Sequence, residues 1–279
     1  SEFAIHLEYC RAIGQSENEL PYGNIIALNE HGAVLHYQHQ SREKPDGHLS
    51  FLIDAGAKFN GYASDITRTY AMENDEFASL LKRFETLQLE LVGEVRAGVD
   101  FVDLHISCHQ KIAQLLDEVG LARGNPDTLM ETGVTAAFFP HGLGHLLGVQ
   151  VHDVGGHMGD DTGTVIEPPV EHPYLRMTQT LEVNHVMTIE PGIYVIDMLI
   201  ANLEGTAGYD LIDQQMLDWL RPYGGIRIED NVRVLDDGCE NLTRDAFAAQ
   251  YKLTPAAISP HMMTHLWLIR CTNVFMATI

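Results

Sequence analysis

The chain has 279 residues, with 17 Lys and Arg against 39 Asp and Glu, a formal net charge of −22. A field of that sign repels phosphate backbones and argues against a nucleic-acid partner, while 45% apolar and 20% charged content argue against disorder. Cys10, Cys108, Cys239 and Cys271 are scattered without a C-x-x-C pair, which excludes a disulfide framework and a thiolate zinc site and fits a reducing cytoplasm.

Ser1 to Gly14 reads as the end of a helix, with Phe3, Leu7 and Cys10 at helical spacing and Gly14 as its stop. Asn24 to Tyr37 predicts a strand, a turn over Asn29 to Gly32, and a second strand. Ser50 to Ala57 and Tyr62 to Tyr70 predict another hairpin. Two amphipathic helices follow, over Asp75 to Ala97 and Phe101 to Val119. Leu80, Leu81, Phe84, Leu87 and Leu91 form the first stripe, and Leu104, Cys108, Ile112 and Leu115 the second, with Gly98 and Gly120 as stops. Both helices are expected to pack the core and do nothing more.

From Phe138 to Gly156 the chain turns to Gly- and His-rich loop and strand, and an acidic, Pro-rich loop runs from Asp160 to Pro173. Val186 to Pro191 and Ile226 to Val234 predict strands, with a short helix near Gln214 to Leu220 between them. Residues 245–279 are Ala- and Met-rich and find no place in this plan. Their most apolar stretch, His261 to Ile279, is broken by His265, Arg270 and Asn273, so no membrane span is expected.

The chemistry starts with Asp54 and Asp65 on the second hairpin. A turn centred on Phe59 and Asn60 would place them directly opposite one another, roughly 5 Å apart. Carboxylates that close repel unless protonated or metal-bound. The pair alone describes two surface carboxylates more readily than a metal site. His141, His145 and His152 then cluster among Gly142, Gly144, Gly148, Gly155 and Gly156, where glycines permit the close turns of a crowded site and neutral imidazole is a common metal ligand. Glu190 ends an apolar strand just before Pro191-Gly192, and Glu229 shares a strand face with Arg227. Carboxylates half-buried on strands are uncommon without a partner. Four carboxylates and one imidazole suit two divalent ions, and the oxygen-rich set favours Mn or Co.

In order and content these motifs resemble the pita-bread metallopeptidases, which include methionine aminopeptidase, aminopeptidase P and prolidase. The match is nearest to bacterial Xaa-Pro dipeptidases of the prolidase and organophosphorus acid anhydrolase type. The resemblance covers about Phe3 to Arg244. It implies an α+β fold, a curved and mostly antiparallel sheet covered by helices. Residues 1–244 would form the catalytic domain, truncated before the family's separate N-terminal domain, and residues 245–279 a tail of unknown structure. By resemblance Asp54, Asp65, His145, Glu190 and Glu229 hold two divalent metals, Mn first and Co or Zn as alternatives. Glu190 shuttles the proton, while His152 and His36 stabilise the oxyanion. Arg176 holds the C-terminal carboxylate of a dipeptide, and His141, Arg227 and Tyr22 contact substrate or line its pocket.

The implied activity is cleavage of Xaa-Pro dipeptides by a metal-bridging hydroxide that attacks the peptide carbonyl, with organophosphate hydrolysis as a side activity. The expected setting is cytoplasmic, with no nucleic acid or membrane partner, as a homodimer. Two alternatives stand: an aminopeptidase P acting on longer peptides, and a non-catalytic binding module of the same fold.

Overall fold

The computed structural model describes residues 1–253. Helix α1 (Glu2–Ile13) closes on Gly14 in the left-handed conformation. It leads to strand β1 (Ile25–Leu28), which pairs antiparallel with β2 (Ser50–Ala55). The second strand expected up to Tyr37 does not form. Asn29 turns the chain at φ 56 into a 3-10 turn over Asn29–Ala33, and its side chain bonds Gly47, Leu49 and Ser50 instead. The following loop is tied down by Glu2, buried at 1% exposure, which accepts from Leu28 N, Ser41 N and Tyr37 Oη at 2.7–2.9 Å. That loop carries His36.

The central hairpin runs through β3 (Lys58–Phe59) and β4 (Tyr62–Ala63) into β5 (Ile66–Ala71). Its turn is Asn60-Gly61, both at positive φ (50 and 90), the two-residue type that matches strand twist. The register is therefore displaced by two residues from the expected one. Asp54 lies opposite Thr67, not Asp65. Because the side-chain period is two, Asp65 stays on the same face as Thr67, diagonal to Asp54.

Helix α2 (Glu76–Glu94) is capped by Asp75 and α3 (Phe101–Val119) by Asp100 and Gly120. The first ends before Ala97. Val95 leaves the helix to bury completely, and Ala97 N and Gly98 N bond Leu235 and Leu181 carbonyls, so tertiary partners replace the last turn. Short helices α4 (Pro126–Glu131) and α5 (Val134–Phe138) follow, and after a long loop come β6 (Val186–Ile189) and β7 (Gly192–Tyr194). Helices α6 (Asp197–Ala201), α7 (Ala207–Leu211) and α8 (Gln214–Leu220) fill the insertion, the last where the sequence predicts it.

The strand expected over Ile226 to Val234 is two: β8 (Gly225–Arg227) pairs with β7, and β9 (Asp230–Val234) lies between β6 and β10 (Cys239–Asn241). At the break, Glu229 N donates to Thr67 O at 3.1 Å across to the other sheet. Thr69 Oγ1 exchanges bonds with the backbone of Arg227, and Asn231 holds the backbone of Asp65. The two three-stranded sheets, β1-β2-β5 and β10-β9-β6, are thus stitched together through β5. Every strand pair is antiparallel. One hydrophobic core lies among α2, α3 and β6–β9, and a smaller one between α1 and β1-β2-β5. Helix α9 (Leu242–Leu253) runs across the domain boundary expected at Arg244, with Phe247 packed on the smaller core. Residues 254–279 of the expected tail lie outside the described residues. Among the described residues no helix is long and apolar enough to cross a membrane.

Candidate functional site

The stitched junction gathers the expected ligands. Asp54 is the penultimate residue of β2, Asp65 precedes β5, Glu190 follows β6, and Glu229 occupies the gap between β8 and β9. His145 arrives on the Gly-rich loop, which lies so close to β6 that a Cβ on Gly144 would sit 2.0 Å from Thr188 O. Only glycine permits that approach. Thr188 N bonds His145 O, and Thr188 Oγ1 accepts from His145 N at 3.1 Å.

Asp65, His145 and Glu229 bring one ligand atom each within 4.8 Å of one another. His145 Nε2 is 3.4 Å from Asp65 Oδ2 and 3.5 Å from Glu190 Oε1. Its Nδ1 donates to Leu146 O at 3.0 Å, so Nε2 is the nitrogen that faces the carboxylates. Burial lowers the ring's pKa, but Asp65 and Glu190 outweigh it and raise it above the ordinary value. Tyr22 Oη lies 2.7 Å from Asp54 Oδ1 and 2.5 Å from Asp65 Oδ1. A phenol has one proton, so it can donate to only one of the two oxygens. The Glu229 Oε1 oxygen is buried and has no hydrogen-bond partner among the described residues, while Oε2 accepts from Thr67 Oγ1 at 2.7 Å.

The electrostatics point the same way. Burial first, then repulsion from the other carboxylates, pushes Asp54 up to about 6, Glu190 up to about 7 and Glu229 well above the usual range. One guanidinium, Arg227, opposes four carboxylates. Such a set holds either protons or cations. The donors, oxygen-rich with one free imidazole nitrogen, fit divalent metal ions.

The remaining residues divide into support and rim. Arg227 was expected to bind substrate, but it is 4% exposed and its guanidinium is spent on Asp54 Oδ2 (2.8 Å), Tyr194 Oη (3.0 Å) and Thr67 Oγ1 (3.2 Å). It holds Asp54 in place. Tyr22 likewise reaches the aspartates with its hydroxyl and does more than line a pocket. His141 uses both nitrogens: Nδ1 donates to Gly142 O and Nε2 accepts from Tyr194 Oη, each at 2.8 Å. Burial and Arg227 hold it neutral, down at about 3. His36, His152 and Arg176 are exposed at the rim. Burial first, and then the charge of Arg176 among others, lowers both histidines, His152 to about 4. The His152 ring meets His145 edge-on at 4.4 Å.

Sequence reasoning missed Tyr194, Thr67, Thr188 and Asn231. Thr67 was findable, two residues from Asp65 on the same strand face. Tyr194 links Arg227 to His141 through a tertiary contact that carries no local signal.

The profile of metallopeptidase family M24 matches residues 1–236. The chain is 55% identical over 245 residues to a Xaa-Pro dipeptidase of Shewanella loihica and 53% identical over 249 residues to one of Stenotrophomonas maltophilia. These alignments cover 88% and 89% of this chain but 56% of each relative, so the chain spans a little over half their length. Among solved structures, a histidine-to-alanine variant of Escherichia coli aminopeptidase P aligns with a TM-score of 0.62 at 27% identity, over 96% of this chain and 50% of that one. Aminopeptidase PepP of Pseudomonas aeruginosa aligns at 0.60 and 27%, over 93% and 48%. The α+β, pita-bread architecture expected from the motifs is that of these neighbours.

Proposed function

The chain belongs to metallopeptidase family M24, and from that premise we propose that it is a metal-dependent Xaa-Pro dipeptidase that releases proline from dipeptides. The observation that carries the reading is the convergence of Asp65, His145 and Glu229, with Glu190 and Asp54 beside them, around a buried carboxylate oxygen that has no partner among the described residues. Asp54, Asp65, His145, Glu190 and Glu229 hold two divalent ions, Mn by preference and Co or Zn as alternatives. When bound, such ions acidify a water and polarise the scissile carbonyl.

The chain's own residues do the rest. Glu190 takes the attacking water's proton and delivers it to the proline nitrogen. His152 and His36, held neutral at the rim, present N–H groups to the developing oxyanion. Arg227 keeps Asp54 ionised and oriented, and Tyr194 keeps His141 in place. Arg176, exposed and with no ion-pair partner among the described residues, binds the dipeptide's C-terminal carboxylate. The catalytic unit is residues 1–244, and α9 continues from it.

The test is Mn-dependent release of proline from Gly-Pro, with Gly-Pro-Ala alongside. The dipeptide is expected to be the better substrate; faster cleavage of the tripeptide favours the aminopeptidase P alternative. No hydrolysis with Mn, Co or Zn favours a binding module. Arg176→Ala is expected to raise KM for Gly-Pro by about ten- to a hundredfold, the worth of one charge-assisted hydrogen bond. Its effect on the amide Gly-Pro-NH2, which lacks the carboxylate, should be several-fold smaller. Equal effects on the two refute the clamp.

A further inference from the structure

Apart from the carboxylate centre, α3 and the loop before Arg176 bring three imidazoles together. His105 and His109 stand one turn apart on α3, so both project from the same face. Each is 1% exposed. His172, half-buried, reaches them from the loop. Ring centroids are 4.7 Å apart for His105 and His109, 4.5 Å for His105 and His172, and 4.7 Å for His109 and His172. One ring nitrogen from each lies within 4.8 Å of the others. Phe139 closes one side, 5.6 Å from His105 and 5.1 Å from His109. The core-packing role expected of α3 does not account for this face.

Their hydrogen bonding is incomplete. Both nitrogens of His109 and Nδ1 of His105 are buried without a partner among the described residues. A neutral imidazole carries one N–H and one lone pair, so His109 satisfies neither. Burial first, and then the neighbouring imidazoles, keeps His105 near 2 and His109 near 3, so both present lone pairs at neutral pH.

We propose that His105, His109 and His172 form a second metal site, for one zinc-class transition ion, which shares no ligand with the carboxylate centre. Three imidazoles with one open position match a tetrahedral zinc set, in which ligand nitrogens stand roughly 3.3 Å apart. From separations within 4.8 Å, seating the ion asks for a closure of at most about 1.5 Å, by rotation of the imidazoles and adjustment of the loop that bears His172. An all-nitrogen set favours Zn, Ni or Cu over Mn, whereas the oxygen-rich centre suits Mn. Leu175 N bonds His172 O at 3.1 Å in a tight turn that ends at Leu175, next to Arg176. An ion here therefore tethers the Arg176 loop to α3.

The test counts metal. Chelator-treated protein is dialysed against Zn2+ and analysed by atomic emission, with Co2+ as the spectroscopic probe. The unsubstituted protein is expected to hold one more Zn2+ per chain than His172→Ala, a loop variant expected to fold. It should also show visible Co2+ absorption that His172→Ala lacks. His109→Ala, checked for folding by circular dichroism, should lose the same equivalent. In an Asp65→Asn background, which weakens the carboxylate centre, His172→Ala should still remove one ion. Equal zinc counts and identical cobalt spectra for the unsubstituted protein and His172→Ala overturn the proposal. So does an Asp65→Asn protein that binds no zinc.

Discussion

Glu190→Gln is expected to lower kcat for a Xaa-Pro dipeptide by about a thousandfold, with little change in KM or in the folded structure. A positioned acid–base group contributes on the order of a hundred- to ten-thousandfold, and the amide keeps the shape while losing the proton-carrying oxygen. Glu190 stands where transfer is feasible. Its Oε1 is 3.5 Å from His145 Nε2 and 3.4 Å from Thr188 Oγ1, and its Oε2 is 3.9 Å from His141 Nδ1. The side chain is 18% exposed, so it faces the solvent side of the centre, whereas Glu229 is 1% exposed. Steady-state kinetics with metal content measured in parallel check this. A rate within about tenfold of the unsubstituted enzyme, with metal retained, removes the shuttle role from Glu190.

The largest expected effect on stability belongs to the neighbouring Asp230, a residue with no place in the chemistry. It is completely buried. It accepts from Arg68 at 2.5 Å, from Arg244 Nε and Asn241 Nδ2 at 2.9 Å, and from Gln88 Nε2 at 3.1 Å. These contacts join β9 to α2, β5 and α9. Asp230→Ala strands two guanidinium groups, and breaking a buried pair from one side costs about 3–5 kcal/mol. The low end is expected because Arg244 is partly exposed. Urea unfolding measures the loss, and a change below about 1 kcal/mol contradicts it.

The pH dependence has a definite sign. Burial alone would raise the carboxyl, but Arg68 and Arg244 more than offset it and hold the group at about 2, below its ordinary 3.8. A depressed folded value means stability present above about pH 4 and lost as pH falls toward 2. By linkage this is worth roughly 2 kcal/mol. Asp230→Asn should flatten that acid limb.

What the sequence makes legible follows from how local the cause is. Helices α2 and α3 show in it because their stripes and their Asp75 and Asp100 caps are short-range features. The hairpin register does not follow from the spacing of Asp54 and Asp65. It follows from which two residues turn the chain, and Asn60-Gly61 outweighs Phe59-Asn60 because both turn positions need positive φ. The strand expected up to Tyr37 fails because Asn29 finds partners near residues 47–50, far off in sequence. The break at Glu229 is invisible for the same reason: its partner, Thr67, is 162 residues away. The five candidate ligands are legible through their motifs, since metal ligation demands particular side chains. Arg227, Tyr22 and Tyr194 act through tertiary contacts, and their observed positions differ from, or were absent in, a linear reading.

The seam between the two sheets has a thermodynamic consequence. Asp54 and Asp65 stand at β2 and the start of β5, and Glu190 and Glu229 just past the ends of β6 and β8, so a cation held by residues from both sides would bind the assembled pair far better than the separated chain. Free metal then enters the folding equilibrium by mass action, adding about 2.7 kcal/mol at a hundred times the dissociation constant. In a cell the lifetime of this protein would follow the supply of its metal, and starvation for the ion would be felt as turnover of the polypeptide before it was felt as slow catalysis.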